Sequence, residues 1–232
     1  MRFDDLMAKI EDGFQVTIKE EDWHQHPVGN GWVENCATVE ESCFIGEDAC
    51  VMGKSKVEGQ VSLRDYACVH DSIIQGNVIL RDNCKVIKGS IVSGVIKISD
   101  RAVVNKGQVR GVSKLRDYAF VAGIIHHTNM SDDSSIGQYA EVMNANLSGM
   151  HTVIEGRWKR SPIYVRFKNY IFYEMGTDLY KYGCQTGNYQ YFLDRYGTSN
   201  LHYNGSLDKT ERQILLSLLK TVHEIQQTYG LG

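Results

Sequence analysis

Proline is nearly absent, at 2 of 232 residues beside 22 glycines. Loop-rich chains use both as punctuation, so something regular turns this chain without proline. A basic excess is missing too. Lys and Arg number 25 against 28 Asp and Glu, a formal charge of −3, which makes nucleic acid a poor partner because neutralising phosphates needs surplus cations. The six cysteines (Cys36, Cys43, Cys50, Cys68, Cys84 and Cys184) contain no Cys-x-x-Cys pair, so neither a zinc ribbon nor a dithiol redox site is indicated. No apolar run reaches the roughly 18 residues of a membrane span. The opening Met1-Arg2-Phe3-Asp4-Asp5 carries acids where a signal peptide needs a basic stretch. The expectation is a cytoplasmic chain with reduced thiols and no membrane contact.

What is present is a repeat. Aliphatic residues recur every six positions as Val33, Val39, Ile45, Val51, Val57, Leu63 and Val69, then, after a one-residue slip, as Ile74, Leu80, Val86, Val92, Ile98 and Val104. A second slip leads to Val109, Leu115 and Val121. Every third member falls into one of three columns: Ile45, Leu63, Leu80, Ile98, Leu115; Val33, Val51, Val69, Val86, Val104, Val121; and Val39, Val57, Ile74, Val92, Val109. A helix has no period of six, whereas a short strand, a corner and the next short strand fill six residues, so the pattern predicts a solenoid of triangular coils. Ala49, Ala67, Cys84, Ala102 and Ala119 supply a small residue four places after the first column, and Glu47, Asp65, Asp82, Asp100 and Asp117 an acidic row two places after it. Gly59, Gly76, Gly94 and Gly111 align at a corner where positive φ would call for glycine. Five to six coils at the strand spacing of about 4.8 Å give a rod on the order of 25 Å. Its open edges need covers. Phe3, Leu6, Met7 and Ile10 have helical spacing and predict a capping helix within an N-terminal cap over 1–30.

The unit Ile45-Gly46-Glu47-Asp48-Ala49 resembles the hexapeptide-repeat family, whose coils form left-handed parallel β-helices; the periodicity itself does not fix the hand. The lead-in Trp23-His24-Gln25-His26-Pro27-Val28-Gly29-Asn30-Gly31-Trp32-Val33 is similar to the opening of bacterial and bacteriophage proteins of this type. The resemblance covers roughly residues 22–150, and it is specific for fold and weak for function. It also implies an alternative activity, because some members are acyltransferases that use a histidine as general base and acetyl-CoA as donor, usually as homotrimers. The repeat blurs after Val121 and resumes near Ile136 and Val142, so His126 or His127, with Asp132 or Asp133 as orienting carboxylate, are the catalytic candidates. Two turn histidines on the exterior are the plainer alternative. A three-histidine zinc site of another branch needs a His-x4-His pair that none of the eight histidines supplies, so no metal is assigned.

The predicted solenoid spans 31–156, and a small α+β domain follows over 157–232. Segment 1–150 holds 15 basic and 21 acidic residues, segment 151–232 holds 10 and 7, a difference that fits two surfaces. Ile163–Phe167, Tyr170–Tyr173 and Leu179–Tyr182 read as an antiparallel sheet. A helix over about 187–196 would end at Gly197, and a second would open on Asp208-x-x-Glu211 with Ile214, Leu215, Leu218, Leu219, Val222 and Ile225 on one face. Arg157, Trp158, Lys159, Arg160, Arg166 and Lys168 cluster cations and aromatics at the junction and form the candidate binding surface, with a solvated hairpin face as the plainer reading. The sequence therefore points to a non-catalytic binding or scaffold protein with a protein partner and no cofactor. The phage resemblance implies an accessory protein that inhibits a host macromolecule.

Overall fold

The structure, a computed structural model, describes Phe3, Asp5 and residues 19–167, 170–197 and 207–230. Of the predicted capping helix only Phe3 and Asp5 fall inside that set, both helical; Leu6, Met7 and Ile10 lie outside it. The chain winds a parallel β-solenoid of about 7 turns. Each middle coil is a short strand and a long one, as in Cys68–His70 and Ile73–Leu80. The long strand bends where Gly59, Gly76, Gly94 and Gly111 hold φ of 94°, 103°, 120° and 74°, so it supplies two sides of the triangle. In Ile73–Leu80 the side chains of Ile74, Val78 and Leu80 point inward and the others outward.

Strand register places the three aliphatic columns in line: Val51 on Val69 and Val86, Val57 on Ile74 and Val92, Leu63 on Leu80 and Ile98. Nearly every member is fully buried, and at about 1.5–3 kcal/mol per buried aliphatic side chain this core is the main stabilising term. The small-residue column is also fully buried, because beside each aliphatic at the corner there is space only for a methyl or a thiol.

The apparent break after Val121 is not one. Leu115 pairs with Met130, Val121 with Ile136, and Val109 with Ile125, so the columns continue through a coil shortened to a step of 15 or 16 residues where others step 17 or 18. They run on to Leu147, Val153 and Trp158, which makes the rod longer than five to six coils. The shortening removed residues from corners and left the inward positions untouched, so the core is continuous while the six-residue count is lost.

Both edges are covered. At the start, Trp23–Gln25 pairs antiparallel with Trp32–Glu34, and Phe3 sits edge-on to Trp32 at 5.2 Å between ring centroids. At the end, the boundary expected between 156 and 157 falls inside the strand Thr152–Trp158, whose Trp158 closes the solenoid core. A four-stranded antiparallel sheet follows: Tyr164–Phe167, Tyr170–Gly176, Leu179–Tyr182 and Gln185–Gly187. Helices α1 (Tyr189–Gly197) and α2 (Lys209–Tyr229) complete this unit. Gly197 is the last helical residue of α1 rather than a left-handed one beyond it. The capping box of α2 forms as its sequence indicates, with Asp208 accepting from the Glu211 N–H and Glu211 from the Asp208 N–H, both at 2.8 Å. Leu215, Leu219 and Val222 pack against Phe172, Tyr180 and Phe192, but Ile214 is 49% exposed. No helix among the described residues is long and apolar enough to cross a membrane.

Candidate functional site

The acidic row proves to be a backbone device. Asp65, Asp82, Asp100, Asp117 and Asp132 all have left-handed φ, between 52° and 62°, a conformation that aspartate tolerates better than most side chains. Each carboxylate accepts the backbone N–H of the equivalent residue in the next coil: Asp65 from Asp82 at 3.3 Å, Asp82 from Asp100 at 3.2 Å, Asp100 from Asp117 at 3.3 Å, Asp117 from Asp132 at 3.2 Å, and Asp132 from Gly149 at 2.9 Å. The Ser99 hydroxyl and the Asp117 N–H hold the Asp100 carboxyl below its usual pKa. Arg81 and Arg116 approach Asp82 and Asp117 at 3.3 and 3.6 Å, so the row is compensated twice. Glu47, at the equivalent place in the first coil, has no positive φ.

The histidine pair does not assemble as the sequence suggested. His127 occupies the glycine corner at φ 48°, its ring covers Gly111, and its Nδ1 accepts the Val112 N–H at 3.2 Å. His126 points outward from the strand Ile124–His126, where burial and the nearby Arg110 lower its pKa. Its carboxylate neighbour is Glu141 of the next coil, Nε2 to Oε1 4.0 Å. Asp132 is engaged at the opposite corner by Gly149 and Ser131, and Asp133 follows it there. The pair and that loop sit at different corners of the coil, as Gly94 and Asp100 or Gly111 and Asp117 do in the coils before it.

The basic junction also comes apart. Trp158 is fully buried, donating from Nε1 to the Glu155 carbonyl at 2.8 Å, so it offers no ring to a ligand. Arg160 lies over the Trp158 ring and binds both oxygens of the buried Glu174 at 2.7 Å. Arg157 remains 65% exposed, paired with Glu141 at 3.1 Å, and Lys159 is exposed. Arg166 lies in the first strand of the antiparallel sheet, and Lys168 is outside the described residues. Of the candidate surface, Arg157 and Lys159 are the members shown at the surface.

Sequence reasoning missed the groups that organise this junction. Glu174 also accepts from the Ile163 N–H and from Gln226 Nε2, the latter at 2.8 Å. The Gln226 carbonyl accepts from the Asp178 N–H at 3.1 Å and from the Tyr180 hydroxyl at 2.9 Å. Because Tyr180 donates there, the 3.0 Å contact with His223 Nδ1 makes His223 the donor. Burial pushes the Tyr180 phenol well above its ordinary pKa. His223 in turn stacks on Tyr189, ring centroids 4.0 Å apart, and reaches Asp178 at 3.4 Å. A carboxylate inside the aromatic run Ile171-Phe172-Tyr173-Glu174 and an amide on the apolar stripe of α2 were the available signals.

A cavity of about 310 Å³ opens near the N-terminal end, with Trp23, Met52, Cys36, Glu34, His70 and Asp71 among its walls. Its polar groups serve the chain: Glu34 accepts from the Gly53 N–H at 2.6 Å, Asp71 from the Lys54 N–H at 2.8 Å, and Cys36 donates to the Gly53 carbonyl at 3.1 Å. Burial and the neighbouring Glu34 raise the Cys36 pKa, so it is held as a thiol and not as the nucleophilic thiolate. Among the described residues no group of three or more His, Cys, Asp or Glu is placed to hold a metal ion.

The outward surface divides into three sides. The first carries short strands such as Val103–Asn105. The second is formed by the leading halves of the long strands, Lys56–Glu58 to Gln108–Arg110. The third is formed by their trailing halves, Gln60–Leu63 to Val112–Leu115. On the second side Lys56 pairs with Glu58 at 2.5 Å and Arg157 with Glu141. On the third, Ile79, Val95 and Val112 are 36%, 55% and 57% exposed. The site geometry thus defines a β-solenoid with largely pre-engaged polar groups and open flat sides. Compared with protein-family profiles, curated proteins and solved structures, the chain finds no match.

Proposed function

We propose that this chain is a non-catalytic binding protein of hexapeptide-repeat type, whose solenoid presents a rigid side to a protein partner. Following the lead-in resemblance, its biology is that of a phage-type accessory protein that inhibits a host macromolecule. The observation that carries the reading is the exposure of aliphatic side chains on the flat third side, Val95 and Val112 above all. A laddered sheet loses little conformational freedom on association, so such a side binds without a large ordering cost. The Asp row and His127 support it as well, because their polar atoms bond the backbone and leave little for catalysis.

Affinity capture from bacterial lysate, followed by calorimetry with the purified partner, tests the reading: a stoichiometric complex is expected. Thermal-shift titration with acetyl-CoA is expected to show no change. A saturable rise in melting temperature, lost in a His126→Ala, His127→Ala variant, overturns the reading in favour of an acyl-CoA-dependent transferase. That alternative draws its support from His126, whose lowered pKa beside Glu141 leaves a neutral imidazole available as a base.

A further inference from the structure

Strand register sets Val95 directly against Val112 and Lys97 directly against Lys114 on adjacent coils, about 4.8 Å apart. All four are exposed. Like charges directly opposite on a sheet repel, yet neither lysine has an ion pair among the described residues. Elsewhere the third side carries Phe44, Gln60, Ser62, Asn77, Ile79, Asn129 and Asn146, none of them a carboxylate. On the second side Lys56 meets Glu58 and Arg157 meets Glu141, while Arg110 donates to the Gln108 amide oxygen. An unrelieved cation pair therefore lies beside an exposed aliphatic pair, in a chain whose net charge is negative.

Resting on the binding reading above, we propose that this square of Val95, Val112, Lys97 and Lys114 docks an extended protein segment that carries an aliphatic residue and a carboxylate two positions apart. Valine and lysine in each strand are two residues apart, about 6.6 Å, and an extended segment repeats its side chains at the same interval. The segment's aliphatic residue covers the valines while its carboxylate relieves the lysine pair. A second copy through the same side would bring lysine against lysine. A nucleic acid would set phosphates against valines and find two cations only, too few for tight backbone binding.

The test is fluorescence anisotropy of the intact chain with three labelled probes: a peptide repeating Leu-Ser-Glu-Ser, the same peptide with Lys for Glu, and an oligothymidylate. Saturable binding of the glutamate peptide alone is expected, weakened about tenfold by Lys114→Glu and about fivefold by Val112→Ser. Lys114→Glu is also expected to raise the melting temperature by about 1–3 °C, since it turns a repulsive pair into an attractive one. A folded variant that gains stability and loses binding is an outcome that a merely structural role does not produce.

Binding of the lysine peptide or the oligothymidylate instead, indifference to Lys114→Glu, or self-association abolished by that substitution overturns the proposal. If no probe binds, the docking proposal fails. A partner captured from lysate whose affinity ignores Lys114→Glu then leaves the general binding reading standing. A coenzyme-dependent thermal shift overturns that reading itself.

Discussion

The solenoid and the unit at its end satisfy their polar groups in opposite ways. Along the rod the work is divided among similar links, one Asp carboxylate and one N–H per coil from Asp65 to Gly149. At the junction it is concentrated on Glu174, which is fully buried and holds Arg160, the Ile163 N–H and Gln226 at once. A repeated device tolerates the loss of one copy, because each coil contacts only its neighbours. A single buried carboxylate does not, because each group that it held is stranded with it.

The largest effect is therefore expected at Glu174. Glu174→Ala leaves the Arg160 guanidinium without its partner and is expected to cost about 3–5 kcal/mol, read as a fall in the urea midpoint. A loss under about 1 kcal/mol would erase the contrast. Within the rod the glycine corner should matter next. A methyl on Gly94 would meet the backbone of Gly111, whereas one on Gly89, also at positive φ, would meet nothing. Gly94→Ala is expected to cost about 2–4 kcal/mol and Gly89→Ala about 1, the difference combining the clash with the next coil and the larger backbone strain at Gly94.

Asp100→Ala removes one link and is expected to cost about 1–2 kcal/mol, with Asp100→Asn milder because asparagine keeps an acceptor and tolerates the left-handed turn. The pKa of Asp100 is depressed in the folded chain. Its contribution is full above the ordinary carboxylate pKa and is lost as pH falls through the lower folded value. Acid unfolding of Asp100→Asn should consequently begin from a lower stability but show a shallower slope.

The smallest effect is expected at His151, which takes the small-residue position of the last coil and is buried against Tyr173. Burial lowers its pKa, so the unfolded chain takes up this proton first as pH drops below about 6.5. Stability should fall over that interval in the native chain and stay flatter in His151→Phe, as melting temperatures between about pH 7 and pH 5 would show.

The period of six, the three columns, the small-residue column and the glycine corner were legible because a solenoid repeats one local solution. Its inward positions have no choice of residue class, so the pattern reaches the sequence undiluted. The capping box at Asp208 and Glu211 was legible for the same local reason. The blur at 122–135 misled because corners can lose residues without disturbing the core. The side chains that looked chemical, His126, His127, Trp158 and Arg160, were misplaced because adjacency along the chain says nothing of what lies on the next coil.

The sequence by itself determined that this protein is a solenoid and where its inward residues lie, since hydrophobic burial at fixed intervals is written residue by residue. Only the tertiary structure decided that the aspartates bind backbone, that Trp158 is core, that Glu174 anchors the end, and that Lys97 and Lys114 face each other unpaired. Along the rod those facts depend on which residues stack across about 17 positions of intervening chain, a register set by the packing of one coil on the next, and at Glu174 on partners drawn from 11 to 52 positions away.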